Sequence, residues 1–280
     1  MSAPLAARPP TSCIFPRALL PKAHHRTTAM PHAPAHQQPV KGPCIAISKN
    51  GPYIVTGGLA LRTETIESSR VGVAVKWVQG PSIPTGQTYA LCRCGRSSKM
   101  PFCDGNHVKA GFDGAECAGR LPFTGQAMVT RGPGLDLADV EKLCAGARFC
   151  DRAGGTWTLT EKSDDPASRA LAIQESGDCP SGRLVALDKE TGAAIEPTFA
   201  PSISLVEDPA SDVSGPLWVK GGVPVRSSDG AMYETRNRVT LCRCGESRNK
   251  PFCDGSHLSC GFRAPGPTTG LTVSTDEPST

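Results

Sequence analysis

In this 280-residue chain one ligand pattern, C-x-C-x8-C-x3-H, occurs twice. The first copy is Cys92, Cys94, Cys103 and His107; the second is Cys242, Cys244, Cys253 and His257. Six of the 13 cysteines are used in this way, with the two histidines that lie beyond residue 40. The spacing constrains the fold strongly, because four soft or borderline donors brought together tie their loops around metal. Disulfides explain the cysteines poorly: the count is odd and no secretory signal precedes them.

The surroundings of the pattern repeat as well. Gly51-Pro52-Tyr53-Ile54-Val55-Thr56-Gly57-Gly58-Leu59-Ala60-Leu61 aligns with Gly215-Pro216-Leu217-Trp218-Val219-Lys220-Gly221-Gly222-Val223-Pro224-Val225. Both copies close on Gly-Phe, at Gly111-Phe112 and Gly261-Phe262. A fixed long-period repeat of this kind marks one structural unit used twice. The sequence divides into a disordered tail (1–42), a first module (43–114), an insert (115–200), a second module (201–264) and a disordered tail (265–280). The fold class is α+β and β-rich. Ile45 and Ile47, Ile203 and Leu205, and Val239 and Leu241 alternate as strands do, and Val71, Val73 and Val75 suggest another.

The insert reads as α+β. Leu137, Val140, Leu143, Cys144 and Ala147 have helical spacing. Asp165-Pro166 opens a second helix and Gly177 lies past its end. Trp157-Thr158-Leu159 and Leu184-Val185-Ala186-Leu187 read as strands.

Three thiolates and one neutral imidazole hold either a structural zinc ion or an iron–sulfur cluster, and ligand type alone does not choose. Spacing points to iron. Structural zinc normally uses cysteine pairs two to four residues apart, whereas these pairs have one residue between them. Cys103 and His107, four apart, share a face on a helical turn and chelate a second metal. Asp104 suits the start of a helix, and Gly105 lets backbone N–H approach sulfur.

These residues resemble the CDGSH iron–sulfur family, whose signature is C-x-C-x2-[ST]-x3-P-x-C-D-G-[SAT]-H. Cys242, Cys244, Ser247, Pro251, Cys253, Asp254, Gly255, Ser256 and His257 match throughout. Cys92, Cys94, Ser97, Pro101, Cys103, Asp104, Gly105 and His107 match, and Asn106 departs, which affects tuning near the cluster rather than ligation. The resemblance implies one [2Fe-2S] cluster per motif, one iron on the C-x-C pair and the other on the third cysteine and the histidine. It implies short strands, a short cluster-binding helix, and either intrachain pairing of the modules in a monomer or a homodimer.

Seven cysteines remain. Cys13 and Cys44 sit in or beside the tail and read as incidental, and Cys117 and Cys260 follow the modules at positions where the other copy has no cysteine. Cys144, Cys150 and Cys179 lie in the insert, which faintly resembles a divergent single-cluster ferredoxin segment. The compact C-x2-C-x2-C run is missing, so buried structural thiols are the default and a third cluster at Cys150 and Cys179 is the minor reading.

Arg93, Arg96, Lys99, Arg243, Arg248 and Lys250 flank the motifs and read individually as solvated charge. Together they offset an anionic cluster or guide an acidic redox partner. The formal net charge of +4 calls for neither nucleic acid nor membrane, and no transmembrane span is present in the sequence. No dinucleotide fingerprint, P-loop or nucleophile elbow occurs, and no histidine outside the tail is free for acid–base work, so the chain reads as a non-enzyme. The expected function is one-electron transfer, or cluster storage and transfer, with a redox protein or an apo iron–sulfur acceptor as partner. The alternatives are an electron-delivering component of an oxidoreductase or oxygenase, and a zinc-stabilised interaction module. Residues 1–42 carry no acidic residue. They read as a disordered tail or as a late start at Met30, with cytoplasmic location; a transit peptide, and so the mitochondrial matrix, is the alternative.

Overall fold

A computed structural model describes residues 42–265. The readings made for the two tails fall almost wholly outside that range. The first repeat forms β1 (Cys44–Ile47), β2 (Tyr53–Thr56), β3 (Ala60–Ser68), β4 (Ala74–Ile83) and β5 (Thr88–Leu91), then α1 (Asn106–Lys109). The insert supplies β6 (Met128–Arg131), β7 (Leu135–Asp139), α2 (Thr156–Glu161), α3 (Pro166–Asp178), β8 (Leu184–Asp188) and β9 (Ala194–Ile195). The second repeat forms β10 (Ser202–Asp208), β11 (Val213–Lys220), β12 (Val225–Arg226), β13 (Arg238–Leu241) and α4 (Ser256–Ser259).

The two repeats do not fold side by side. They exchange strands. One sheet has the order β12-β1-β2-β5 and the other β13-β11-β10-β3-β4. The first repeat's β1 runs parallel to β12 of the second, with Ile45 opposite Val225. Reciprocally, β10 of the second runs parallel to β3 of the first, with Ile203 opposite Leu61. The alternating residues therefore meet in one shared core. Ile45, Tyr53, Val55, Leu61 and Leu91 pack with Ile203, Leu217, Val219, Val225 and Leu241. Each large apolar side chain that this shared core removes from water contributes about 1.5–3 kcal/mol, and both repeats draw on it.

The insert is a separate four-stranded sheet, β6-β7-β8-β9. Leu159 of α2 and Ala172 of α3 pack on Leu135 of β7. Several sequence expectations are corrected here. Leu137 lies in a strand, followed by a short helical turn at Glu141–Leu143, and not in a helix through Ala147. Leu135, Asp136, Leu137 and Ala138 are all buried, so this strand is covered on both faces and lacks the alternation that would mark it. Trp157-Thr158-Leu159 is helical, where packing of Leu159 on α3 overrides the β preference of the residue types. The expected cap is present: the Asp165 carboxylate accepts from Ser168 N–H at 2.9 Å. The helix continues through Gly177 to Asp178. Of the three alternating valines, Val71 sits in the turn before β4 and is 84% exposed.

The insert is fastened to the second repeat and to β4. Arg238, buried in β13, donates to the carbonyls of Cys179, Ser176 and Leu184 at 2.8, 2.8 and 3.1 Å and pairs with Glu196 at 2.6 Å. Trp77 stacks against Phe149 of the insert and Trp218 of the second repeat, with ring centroids 4.8 and 4.7 Å apart. No helix among the described residues is long and apolar enough to cross a membrane.

Candidate metal centres

Each ligand loop leaves the end of a buried strand. β5 ends at Leu91 and runs into Cys92 and Cys94; β13 ends at Leu241 and runs into Cys242 and Cys244. The chain then folds back. Cys92 N–H donates to Pro101 O and Cys103 N–H to Ala90 O, both at 2.9 Å. The second loop repeats this, Cys242 to Pro251 at 2.8 Å and Cys253 to Thr240 at 2.9 Å. Ser97 and Ser247 staple the turns by donating to Phe102 O and Phe252 O at 2.6 and 2.7 Å.

The third cysteine is not on the helix, contrary to the shared-face expectation. Helix α1 begins only at Asn106, after Gly105 in the left-handed region at φ 87°. In the second loop Gly255 has φ 84°. This reversal, which favours glycine, swings the histidine back over the cysteine. Asp104 precedes the glycine rather than capping the helix directly. Its carboxylate accepts from Asn106 N–H at 3.0 Å and from Ser98 N–H and Oγ–H at 2.8 Å each. Those bonds, Asn106 N–H foremost, hold its carboxyl down at about 2. Asp254 does the same with Arg248 and Ser256 N–H at 2.9 and 3.0 Å. Where the second loop has Ser256 Oγ donating to Asp254 at 2.6 Å, Asn106 reaches both Asp104 and Arg96 O, at 2.9 and 3.2 Å.

The result is two close donor pairs in each module. Cys92 and Cys94 sulfurs lie 3.7 Å apart, and Cys103 Sγ lies 3.3 Å from His107 Nδ1. The second module gives 3.8 Å for Cys242 and Cys244 and 3.4 Å for Cys253 and His257 Nδ1. Among the described residues no three of His, Cys, Asp and Glu converge on one ion position. Paired donors suit two metals, one per pair, better than one ion held by four ligands.

The electrostatics split the thiols of each module, and burial pushes Cys253 well up. Hydrogen bonding from its partner pulls the Cys92 thiol down, as it does Cys242, while Cys94 and Cys244 are pushed up by the same bond and by burial. Each C-x-C pair thus holds one proton more tightly than the other. Burial depresses His257 to about 4, keeping its ring neutral, as a metal ligand must be. Backbone N–H groups point at sulfur, Glu246 to Cys244 at 3.5 Å and Gly255 to Cys253 at 3.4 Å.

Arg93 and Arg243 are not solvated charges. They are 1% and 3% exposed, and buried guanidinium N–H groups on both lack a hydrogen-bond partner within the described residues. Arg93 lies over the Tyr53 and Phe112 rings. Arg243 pairs with Glu207 at 2.9 Å. Aromatic rings, and for Arg243 the Glu207 carboxylate, receive these buried cations, each of which follows the first cysteine of its motif. Arg96, Lys99 and Arg248 do lie at the surface.

The two centres abut. A Cβ on Gly95 would collide with the Cys244 carbonyl, and one on Gly245 would lie 2.6 Å from the Cys94 carbonyl. Tyr53, which sequence reasoning passed over, donates to Cys242 O and Pro251 O at 2.9 and 3.1 Å. The signal was present as a break in the repeat, a tyrosine where the second copy has Leu217. In the insert, burial raises the Cys150 thiol to about 12, with Asp151 and then the neighbouring Cys179 and Cys144 adding to it. Cys150 therefore lies within electrostatic reach of both Cys179 and Cys144.

Residues 50–108 and 214–258 match the family described as iron-binding zinc finger, CDGSH type. Residues 130–189 match the family described as divergent 4Fe-4S mono-cluster. The human CDGSH iron-sulfur domain-containing protein 3, mitochondrial, is 49% identical over 39 residues, 14% of this chain. The match spans 31% of that protein's length, under a third. No solved structure matches the chain.

Proposed function

From a chain that carries two iron-binding CDGSH-type segments around a divergent 4Fe-4S-type segment, we propose a protein that holds two [2Fe-2S] clusters and carries electrons or the clusters themselves. Cys92, Cys94, Cys103 and His107 would hold one, and Cys242, Cys244, Cys253 and His257 the other. The observation that carries this reading is the pairing: a thiol–thiol pair and a thiol–imidazole pair in each module, at 3.7 and 3.3 Å in the first. When bound, such a group accepts and returns one electron without rearranging its ligands.

The chain's own residues set the conditions. His107 and His257 turn Nδ1 toward their cysteine partners. Substituting neutral imidazole for a thiolate removes one negative charge and raises the potential above that of four-cysteine centres. Gly255 and Glu246 N–H groups stabilise the reduced, more negative form. Strand exchange lets a single chain supply both modules, which supports a monomer. No side chain is assigned a catalytic role, and the partner is a redox protein or an apo iron–sulfur acceptor.

A second reading concerns the insert. The electrostatic reach of Cys144 and Cys179 to Cys150 favours iron there too, but three cysteines leave a four-iron cubane one thiolate short, so structural thiols stay the main reading. The test of electron against cluster carriage is a paired rate measurement. Electron exchange with a dye couple is compared with cluster release to an apo-ferredoxin. Failure of both would remove the proposed function.

A further inference from the structure

The two motifs are nearly identical in sequence, but their surroundings are not. Cys253 and His257 are 3% and 4% exposed. Cys103 and His107 are only half-buried. The difference comes from the insert, which covers one motif and not the other. Its Lys142 carbonyl accepts from Asn249 Nδ2 at 3.2 Å. Its Cys144 carbonyl would lie 3.3 Å from a Cβ on Gly255. Its Gly146 packs so closely on Leu258 that a Cβ there would collide with the leucine. Arg148 continues the cover with a two-pronged pair to the buried Asp208, at 2.7 and 3.0 Å.

The equivalent positions of the first motif are bare. Lys99, the counterpart of Asn249, is exposed. Nothing lies within 4 Å of a Cβ built on Gly105, the counterpart of Gly255. Val108, the counterpart of Leu258 and next to the ligand His107, is 74% exposed. Lys109, next to that valine in the chain, is exposed, as are Arg96 and Lys99 of the same ligand loop.

We infer that the two centres are inequivalent by construction: the first exchanges with the outside, and the second is retained behind the insert. This rests on the reading that both modules hold clusters. The first motif presents an exposed apolar side chain together with exposed Arg96, Lys99 and Lys109, so its exchange partner is a protein with an acidic surface that takes on this module the place the insert takes on the other. Release from the second centre has to await local opening of the insert, and such openings slow access in proportion to their free energy.

The test is a chelator challenge of the full chain, loaded and handled anaerobically. A strong iron chelator is added and loss of visible absorbance is followed with time. Two phases of equal amplitude are expected. The slow one should be at least about tenfold slower, which corresponds to about 1.4 kcal/mol of opening. Cys103→Ser should abolish the fast phase and leave the slow one. Cys253→Ser should do the reverse; if that variant holds no iron at all, the Cys103→Ser arm decides alone. Leu258→Ala should accelerate the slow phase, and Val108→Ala should leave it unchanged. A single phase of full amplitude, or a fast phase that disappears with Cys253→Ser, would overturn the inference. Absence of acid-labile sulfide in the starting material would instead remove the underlying reading, and is measured before chelator is added.

Discussion

The Tyr53 hydroxyl, on β2 of the first module, donates to the carbonyl oxygen of Cys242 in the second module's ligand loop at 2.9 Å. It reaches Pro251 O from the same position at 3.1 Å. Tyr53 is fully buried, and burial drives its phenol well above its ordinary range, so it remains a neutral donor. One module thus braces the ligand loop of the other.

Tyr53→Phe removes that donor from the Cys242 carbonyl, while Pro251 O keeps the Cys242 N–H. We expect a loss of about 1–3 kcal/mol in global stability. The effect should reach across the modules: iron loss should accelerate at Cys242, Cys244, Cys253 and His257, although the substitution is in the other repeat. Denaturant unfolding, followed by visible absorbance in a Cys103→Ser background, isolates that centre. An unchanged rate at that centre would show that Tyr53 does not brace the second module's ligand loop.

Gly245 has φ 87°, and its missing side chain leaves 2.6 Å to the Cys94 carbonyl of the other loop. A Cβ there meets backbone, which cannot swing away. Gly245→Ala should cost about 1–3 kcal/mol in backbone strain alone, with the clash added. Both centres should lose iron together, since the residue sits at their junction. Iron per chain falling by half, with one centre intact, would show that the loops do not abut.

Replacing His257 by cysteine should lower that centre's potential toward the roughly −400 mV of four-cysteine ferredoxins, and His107→Cys should do so at the other. The pH response follows from burial of His257, which lowers its pKa from 6.5 to about 4. Above 6.5 the ring is neutral in folded and unfolded chains, and the group's contribution to stability is complete. Below 6.5 the unfolded chain takes up a proton that the folded one refuses, so stability drops as pH falls toward about 4 and the contribution is gone below it. Acid therefore favours unfolding and release. His257→Cys should flatten this slope in a plot of bound iron against pH, and an unchanged slope together with an unchanged potential would show that His257 is not a ligand.

The insert thiols give a further expectation. Read as structural, Cys150→Ser and Cys179→Ser leave iron per chain unchanged. Cys150→Ser should cost little stability, because the thiol makes only a 3.9 Å contact with Asp151. Loss of about four iron atoms per chain on either change would assign a third cluster to the segment spanning 130–189.

The repeated C-x-C-x8-C-x3-H spacing carried the ligand pairs, and the alternation of Ile45, Ile47, Ile203 and Leu205 carried the strands of the shared core. Their partners were harder to see. Parallel pairing of Ile45 with Val225 joins residues far apart in the chain, and local pattern says nothing about it. Strand β7 is buried on both faces and so mimics helical spacing through Leu137 and Val140. The burial of Arg93 and Arg243 was hidden because the sequence shows the charge and not the aromatic rings of Tyr53, Phe112 and Phe262 that receive them. The unequal cover of the two motifs depends on Cys144 and Gly146 reaching Gly255 and Leu258, more than 100 residues away.

The measurement that bears most directly on the central claim is metal and sulfide analysis of the full chain purified without oxygen, with its visible spectrum. Two [2Fe-2S] centres require about four iron atoms and about four acid-labile sulfides per chain, a coloured protein, and negligible zinc. Colourless protein with about two zinc ions per chain and no sulfide would contradict the account and leave a zinc-stabilised interaction module in its place.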